Sequence, residues 1–260
     1  PANRYKSIST VDLSFLGVPS DKKMEGLRNK INTIAAAYAP LDGMNEKGLT
    51  VGIYMTHQGP GKLNVPTNQE NGRPDITSTV LLRVILDYAA TVEEAVAIAE
   101  KYDMHDSANS SFHYMISDAN GRSAVLEYIT GTDSTDTDGQ KRELMVIYND
   151  DPTSLAGADK FQLVTNFIVY PGYYEEGDKQ HGLDRYQIVK EELEIRDGLV
   201  KDDEDAMSVL EKAALRDWNN DIYSVTIHSV VYNQTNKTVY WVGNRHYGEE
   251  AYIYRFKLME

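Results

Sequence analysis

Two short runs of alternating residues near the middle of the chain, Phe112 to Ser117 and Ser123 to Ile129, stand on either side of Ala119-Asn120-Gly121-Arg122. Alternation is the period of a half-buried strand, and Asn-Gly is the strongest short hairpin signal because both central residues of the tight turn take positive φ. An antiparallel pair is therefore expected at the centre, and its flanks decide the architecture. Upstream, Ile76 to Tyr88 reads as a buried helix and Thr91 opens a second, with Thr91 and Glu94 at capping-box spacing. The very short connection between them predicts an αα-hairpin. Downstream, Leu144 to Tyr148 and Phe161 to Val169 read as strands, and Asp184 to Ile195 and Glu204 to Leu215 as helices. Tyr223 to Tyr232, Thr238 to Gly243 and Ala251 to Leu258 are further strands. Strands and helices come in blocks instead of β-α alternation, which points to an α+β fold of antiparallel sheets with helices outside.

The opening residues fit the same plan. Val11, Leu13 and Phe15 alternate from Ser9, predicting a strand closed by Gly17-Val18-Pro19. Met24, Leu27, Ile31 and Ile34 recur at helical steps through Ala37, and Pro40 ends the segment. Asp42-Gly43 and Asn45 to Gly48 read as a tight turn before an apolar strand at Leu49 to Met55. No internal repeat or Gly/Ser/Pro-rich linker divides the sequence, so one domain over residues 1–260 is expected.

Charge and composition narrow the partners. Twenty-six Lys and Arg against 40 Asp and Glu give a net charge of -14, a field that repels phosphate backbones and anionic membranes. Nucleic acid and membrane surfaces are therefore not expected partners, and no apolar run approaches the roughly 18 residues of a membrane span. The chain has no cysteine, which removes disulfides, Cys-zinc sites and a cysteine nucleophile from these residues. Its first residues, PANRYKSIST, have neither the basic stretch nor the apolar core of a signal peptide. With no initiating Met and an early strand pattern, the sequence reads as a fragment or processed chain; its location stays open, with the cytoplasm favoured. GTDSTDTDGQ at 131–140 reads as a solvated hairpin loop, lacking EF-hand spacing and the terminal Glu.

DGMNEKGL at 42–49, followed by a strand, resembles the corresponding element of choloylglycine hydrolases and the related acyltransferase and linear-amide hydrolase families. Four further segments fall in the family's order: LLRVILDYAATVEEAVAIAEKYD, HYMISDANGRSAVLEY, LVTNF with the later DRY, and SVVYNQTNKTVYWVG. The resemblance covers nearly the whole chain. It implies a four-layer αββα sandwich, the fold of N-terminal-nucleophile hydrolases, in which both sheets are buried on both faces. A polar residue inside such a strand then costs roughly 1–3 kcal/mol unless it is satisfied.

Asn166 is such a residue, sharing a face with Val164 and Ile168 in the expected strand. On pattern alone it is equally a structural amide bonded to backbone; the resemblance implies a donor to the oxyanion of a tetrahedral intermediate, a task suited to a neutral group. Arg185 lies at an expected helix start, with Asp184 as N-cap and Gln187 at the box position, where the helix dipole disfavours a cation. An exposed Arg is the plain reading; the resemblance places it in the active site. Tyr54 and Met55 compete for the position beside the oxyanion, and a core aromatic explains Tyr54 equally well. His57 opens a long loop to Arg73 that would rim the pocket and contribute to substrate choice. By itself His57 reads as a surface residue, since no local motif completes a triad.

The departure from the family is the nucleophile, a terminal Cys whose own α-amino group serves as base. The family places that Cys on a leading strand ahead of the position where this sequence starts. Two readings follow. The favoured one is the larger part of a cysteine amidase or acyltransferase, completed by a Cys-bearing segment that is cleaved, omitted or kept as a separate chain. The alternative is a catalytically incomplete binding protein for small molecules. Either takes a small N-acyl amide, requires no cofactor or metal, and is expected to form a homo-oligomer as similar enzymes do. Pro1, a secondary amine, is a weaker candidate base.

Overall fold

The computed structural model describes residues 3–18, 25–58, 63–106, 109–130, 140–151, 160–215 and 225–258. Pro1 and all but the last residue of the acidic loop at 131–140 lie outside them. Among the described residues, eleven strands are assigned: β1 (Ser7–Thr10), β2 (Asp42–Asn45), β3 (Thr50–Thr56), β4 (Asp75–Ile76), β5 (Asp103–Met104), β6 (Ser111–Ser117), β7 (Ser123–Thr130), β8 (Arg142–Tyr148), β9 (His228–Asn233), β10 (Thr238–Gly243) and β11 (Ile253–Lys257). Five α-helices accompany them: α1 (Leu27–Asn32), α2 (Ser78–Tyr88), α3 (Val92–Ala99), α4 (Leu183–Ile195) and α5 (Asp203–Ala213).

Six strands form one antiparallel sheet in the order β1-β2-β3-β6-β7-β8, and β11-β10-β9 form a second. The pair β4-β5 is a short parallel ladder. Alternation assigns the faces of the large sheet. Val51, Tyr114, Ile116, Ala124, Leu126 and Tyr128 pack under Leu81, Leu82, Ile85 and Leu86 of α2 and Val92, Ala95 and Val96 of α3. These side chains are almost wholly withdrawn from water, and each large one is worth about 1.5–3 kcal/mol of apolar burial. Val125 and Ile147 pack instead against Phe167, Val169 and Tyr186, so residues around 161–170 and α4 cover the opposite face. In the small sheet, Tyr240 and Val242 pack with Met207 of α5. Tyr232 of β9 reaches across to Asp42 of β2, and Gln234 to Thr50 and Ser117, so the two sheets face each other. The layers run helix, sheet, sheet, helix, as an αββα sandwich.

Several elements depart from the sequence reading. The first strand ends at Thr10, because Asp12 Oδ1 accepts from Ser14 N at 2.8 Å and starts a 3₁₀ turn over Leu13–Leu16. Phe15 is left exposed. The expected helix through Ala37 is α1 followed by a 3₁₀ stretch, Thr33–Tyr38; the Thr33 hydroxyl donates back to Lys30 O at 2.7 Å, a bond that competes with the helix ladder. In the central hairpin only Gly121 takes positive φ (83°), because Asp118 Oδ1 holds Asn120 N at 2.8 Å.

Asp42-Gly43 is strand, not turn. A Cβ on Gly43 would lie 2.7 Å from Ile8 O and 2.9 Å from Leu86 Cδ1, so glycine here lets β1, β2 and α2 close on one another. The turn itself is organised by Asn45, fully buried. Its Oδ1 accepts from Lys47 N and Leu49 N, and its Nδ2 donates to Leu86 O and Ala89 O at the end of α2.

Candidate active site

The segment expected as a strand at Phe161 to Val169 has no strand ladder. Its polar groups go to side chains instead: Ile168 N donates to the Tyr174 hydroxyl at 3.0 Å, and Val169 N and Tyr170 N donate to Glu127 at 2.9 and 2.8 Å. Asn166 sits in the middle of this segment, partly exposed. Its Nδ2 donates to Met55 O at 2.8 Å, tying it to the end of β3, while its Oδ1 accepts from Arg185 Nη2.

Arg185 is the third residue of α4. The N-cap is Gly182 (φ 76°) and not Asp184, which lies within the first turn. Gly182 is required here: a Cβ would come within 2.8 Å of Arg185 Nη2 and 3.2 Å of Asn166 Oδ1, the space through which the guanidinium folds back. Arg185 therefore turns away from bulk solvent towards Asn166, which compensates for its place at the positive end of the helix.

Met55, His57, Asn166 and Arg185 all line one pocket of about 340 Å³, with His181 and Thr226. His57 stacks on His181, ring centroids 3.6 Å apart and 10° from parallel. Burial, then the neighbouring His181, push the His57 pKa down against a hydrogen bond with the Asn166 backbone. His57 is thus a pocket wall, not a plain surface residue.

Tyr54 and Met55 also line a second cavity of about 930 Å³, so Met55 borders both spaces. Its apolar wall includes Phe15, Leu41, Ile53 and Phe112, and its polar end is Asp42 with His228. Asp42 accepts from the Tyr232 hydroxyl and from His228 Nε2 at 3.4 Å. Burial would raise the Asp42 pKa, but the bonds from His228 and Tyr232 outweigh it and hold the carboxyl below its ordinary value. The Tyr54 hydroxyl lies over Gly52, the residue paired with Asp42; burial, then the Asp42 charge, push it up to about 12, so it remains a phenol at neutral pH.

Sequence reasoning did not single out the Asp42, His228 and Tyr232 cluster, nor a second, buried one. His113 and Glu127, both fully buried, are bonded at 2.8 Å. The register Tyr114↔Leu126, carried one residue further, sets them opposite each other, so counting outward from the Asn-Gly turn locates them. Among the described residues, Asp75, Asp103 and His105 have metal-ligand spacing, their ligand atoms within 4.8 Å of one another. Asp103 there already accepts from Glu70 N, Asn71 N and His105 Nε2.

Two facing antiparallel sheets between helix layers are the arrangement of the N-terminal-nucleophile hydrolase fold. Solved structures agree. A variant of conjugated bile acid hydrolase from Clostridium perfringens superposes with a TM-score of 0.54 at 16% identity, covering 84% of this chain and 73% of that one. Penicillin V acylase from Agrobacterium tumefaciens gives 0.53 at 15% identity, covering 86% and 67%. In sequence, the model of the family described as acyl-coenzyme A:6-aminopenicillanic acid acyl-transferase matches residues 32–153. A penicillin V acylase from Pectobacterium atrosepticum is 30% identical over 98 residues, 35% of this chain and a quarter of that protein's length. The fold is thus the one these hydrolases share, and residues 32–153 are similar to the acyltransferase family.

Proposed function

We propose that this chain supplies the oxyanion and pocket side of a cysteine amidase or acyltransferase that cleaves linear C–N amide bonds of N-acyl compounds. The observation that carries this is the convergence of Asn166, Arg185, Met55 and His57 on one pocket, joined at Met55 to a large apolar cavity. The Cys thiol, from a leading segment or separate chain that completes the sheet, attacks the amide carbonyl. Its α-amino group takes the thiol proton and delivers it to the departing amine as the C–N bond breaks. Water or an acceptor amine then displaces the thiol from the acyl-enzyme. Asn166 has two amide hydrogens; one is held by Met55 O, which leaves the other for the oxyanion, with a backbone N–H near Tyr54. Arg185 bonded to Oδ1 polarises the amide and fixes its orientation. The apolar cavity takes the acyl group. No step needs a metal or cofactor, and a homo-oligomer remains part of the proposal.

A second reading rests on the absence of cysteine from all 260 residues: a binding protein for N-acyl compounds on the same scaffold. Intact mass and N-terminal sequencing of the natural protein, followed by an assay with N-acyl amides, separate the two. A Cys-initiated segment and amide turnover support the enzyme. A natural protein with no such segment, binding N-acyl amides without turnover, establishes the alternative.

A further inference from the structure

We infer that the buried His113–Glu127 pair is the positioning element that sets Asn166 in the pocket; this rests on the oxyanion reading of Asn166 above. The segment carrying Asn166 lacks a strand ladder, so something other than sheet register must fix it. His113 of β6 and Glu127 of β7 stand on the inner face of the large sheet, both fully buried. His113 Nε2 bonds Thr165 O at 2.9 Å, one residue before Asn166. Glu127 accepts Val169 N on both oxygens, at 2.9 and 3.1 Å, and Tyr170 N on Oε2 at 2.8 Å, three and four residues after it. The two side chains thus grip the segment on both sides of Asn166.

The pattern also assigns protons. The Thr165 carbonyl can only accept, so Nε2 carries hydrogen, and Nδ1 and Glu127 Oε1 share the proton of their bond. The imidazole thus bridges the Thr165 carbonyl to Glu127. Tyr54 lies edge-on against His113, ring centroids 6.0 Å apart, so the same imidazole supports a wall of the apolar cavity. A pair serving only the core would not need to address three backbone groups of one irregular segment. Neutralising it therefore moves Asn166 before it moves the sheets.

The test uses nitrogen-resolved NMR and amide exchange on the full chain, wild type and the variants Glu127→Gln and His113→Gln. Hydrogen on His113 Nε2 is expected in the wild type. In either folded variant, exchange at Val169 and Tyr170 rises at least tenfold and the Asn166 side-chain amide signals shift, while β10 amides keep their protection. Unchanged exchange at 169 and 170, or a loss shared equally by β10, overturns the proposal. If neither variant folds, the wild type decides: rapid exchange at Val169 and Tyr170, or an Nε2 without hydrogen, overturns it, and protection with hydrogen on Nε2 supports it. In the protein joined to its Cys segment, Glu127→Gln lowers kcat at least tenfold with KM within about twofold; loosened amides with unchanged kcat refute the positioning role. A wild type with no amidase activity sinks the oxyanion reading instead, and the exchange arm then still judges the anchor.

Discussion

Arg185 Nη2 donates to Asn166 Oδ1 while Asn166 Nδ2 donates to Met55 O at 2.8 Å, so the first turn of α4 and the end of β3 are joined through one side-chain amide. Both bonds use the amide in a single orientation and fix which edge faces the pocket. In the complete enzyme, Asn166→Ala is expected to lower turnover of an N-acyl amide a hundredfold or more while melting temperature changes little. Unchanged turnover with a large drop in stability would mark the residue as purely structural. Arg185→Lys keeps the charge but loses the planar fork, and is expected to give an intermediate loss in kcat.

Asp106 provides a pH signature. Burial raises its pKa to about 6, against bonds from Thr67 N at 2.9 Å and the Ser78 hydroxyl at 3.2 Å. Between pH ~4 and ~6 the folded chain then holds a proton at Asp106 that the unfolded chain has released. The contribution of this group to stability therefore falls as pH rises through that window, by on the order of 3 kcal/mol. Urea midpoints measured from pH 4 to 7 are expected to show the decline, and Asp106→Asn to flatten it; identical profiles would refute the assignment.

Asp42 has the opposite sign. Its lowered pKa means a stabilising contribution that is present above the unfolded value and lost as pH falls through the folded one. Tyr232→Phe removes a donor to a half-buried carboxylate and is expected to cost about 2 kcal/mol and raise the Asp42 pKa. A carboxyl-detected NMR titration reads the second effect directly, and an unmoved Asp42 would contradict it.

Gly43→Ala places a methyl against Ile8 O and Leu86 Cδ1. The first is backbone and cannot rotate away, so a loss of about 1–3 kcal/mol is expected in denaturant unfolding, with the joint between β1 and β2 disturbed first. Wild-type stability would show that the joint is looser than these distances imply.

Periodicity located the elements that bury a regular face. Thr238–Gly243 matches its expected bounds, and the helical patterns at Ile76 to Tyr88 and after Thr91 became α2 and α3, because their apolar rows meet the large sheet. Alternation reports which side a residue faces and nothing about which group receives its amide, so Phe161 to Val169 reads as strand although Glu127, His113 and Tyr174 take the hydrogen bonds. The stripe Leu27, Ile31 and Ile34 misled for a related reason: it is exposed and the helix there is short. Resemblance brought Asn166, Arg185 and the Tyr54-Met55 pair to attention, whereas Asp42 was lost in a turn reading and His228 in a strand. Their pairing spans 186 positions, a contact that no local pattern encodes.

A strand receives its register from its neighbours and largely ignores which side chains it carries. The stretch around Asn166 receives its own from Glu127, His113, Tyr174 and Arg185, four residues scattered over distant codons. The position of this amide is therefore open to single substitutions far from the pocket that leave the sandwich standing, a route by which selection or directed evolution can retune the pocket without rebuilding the fold.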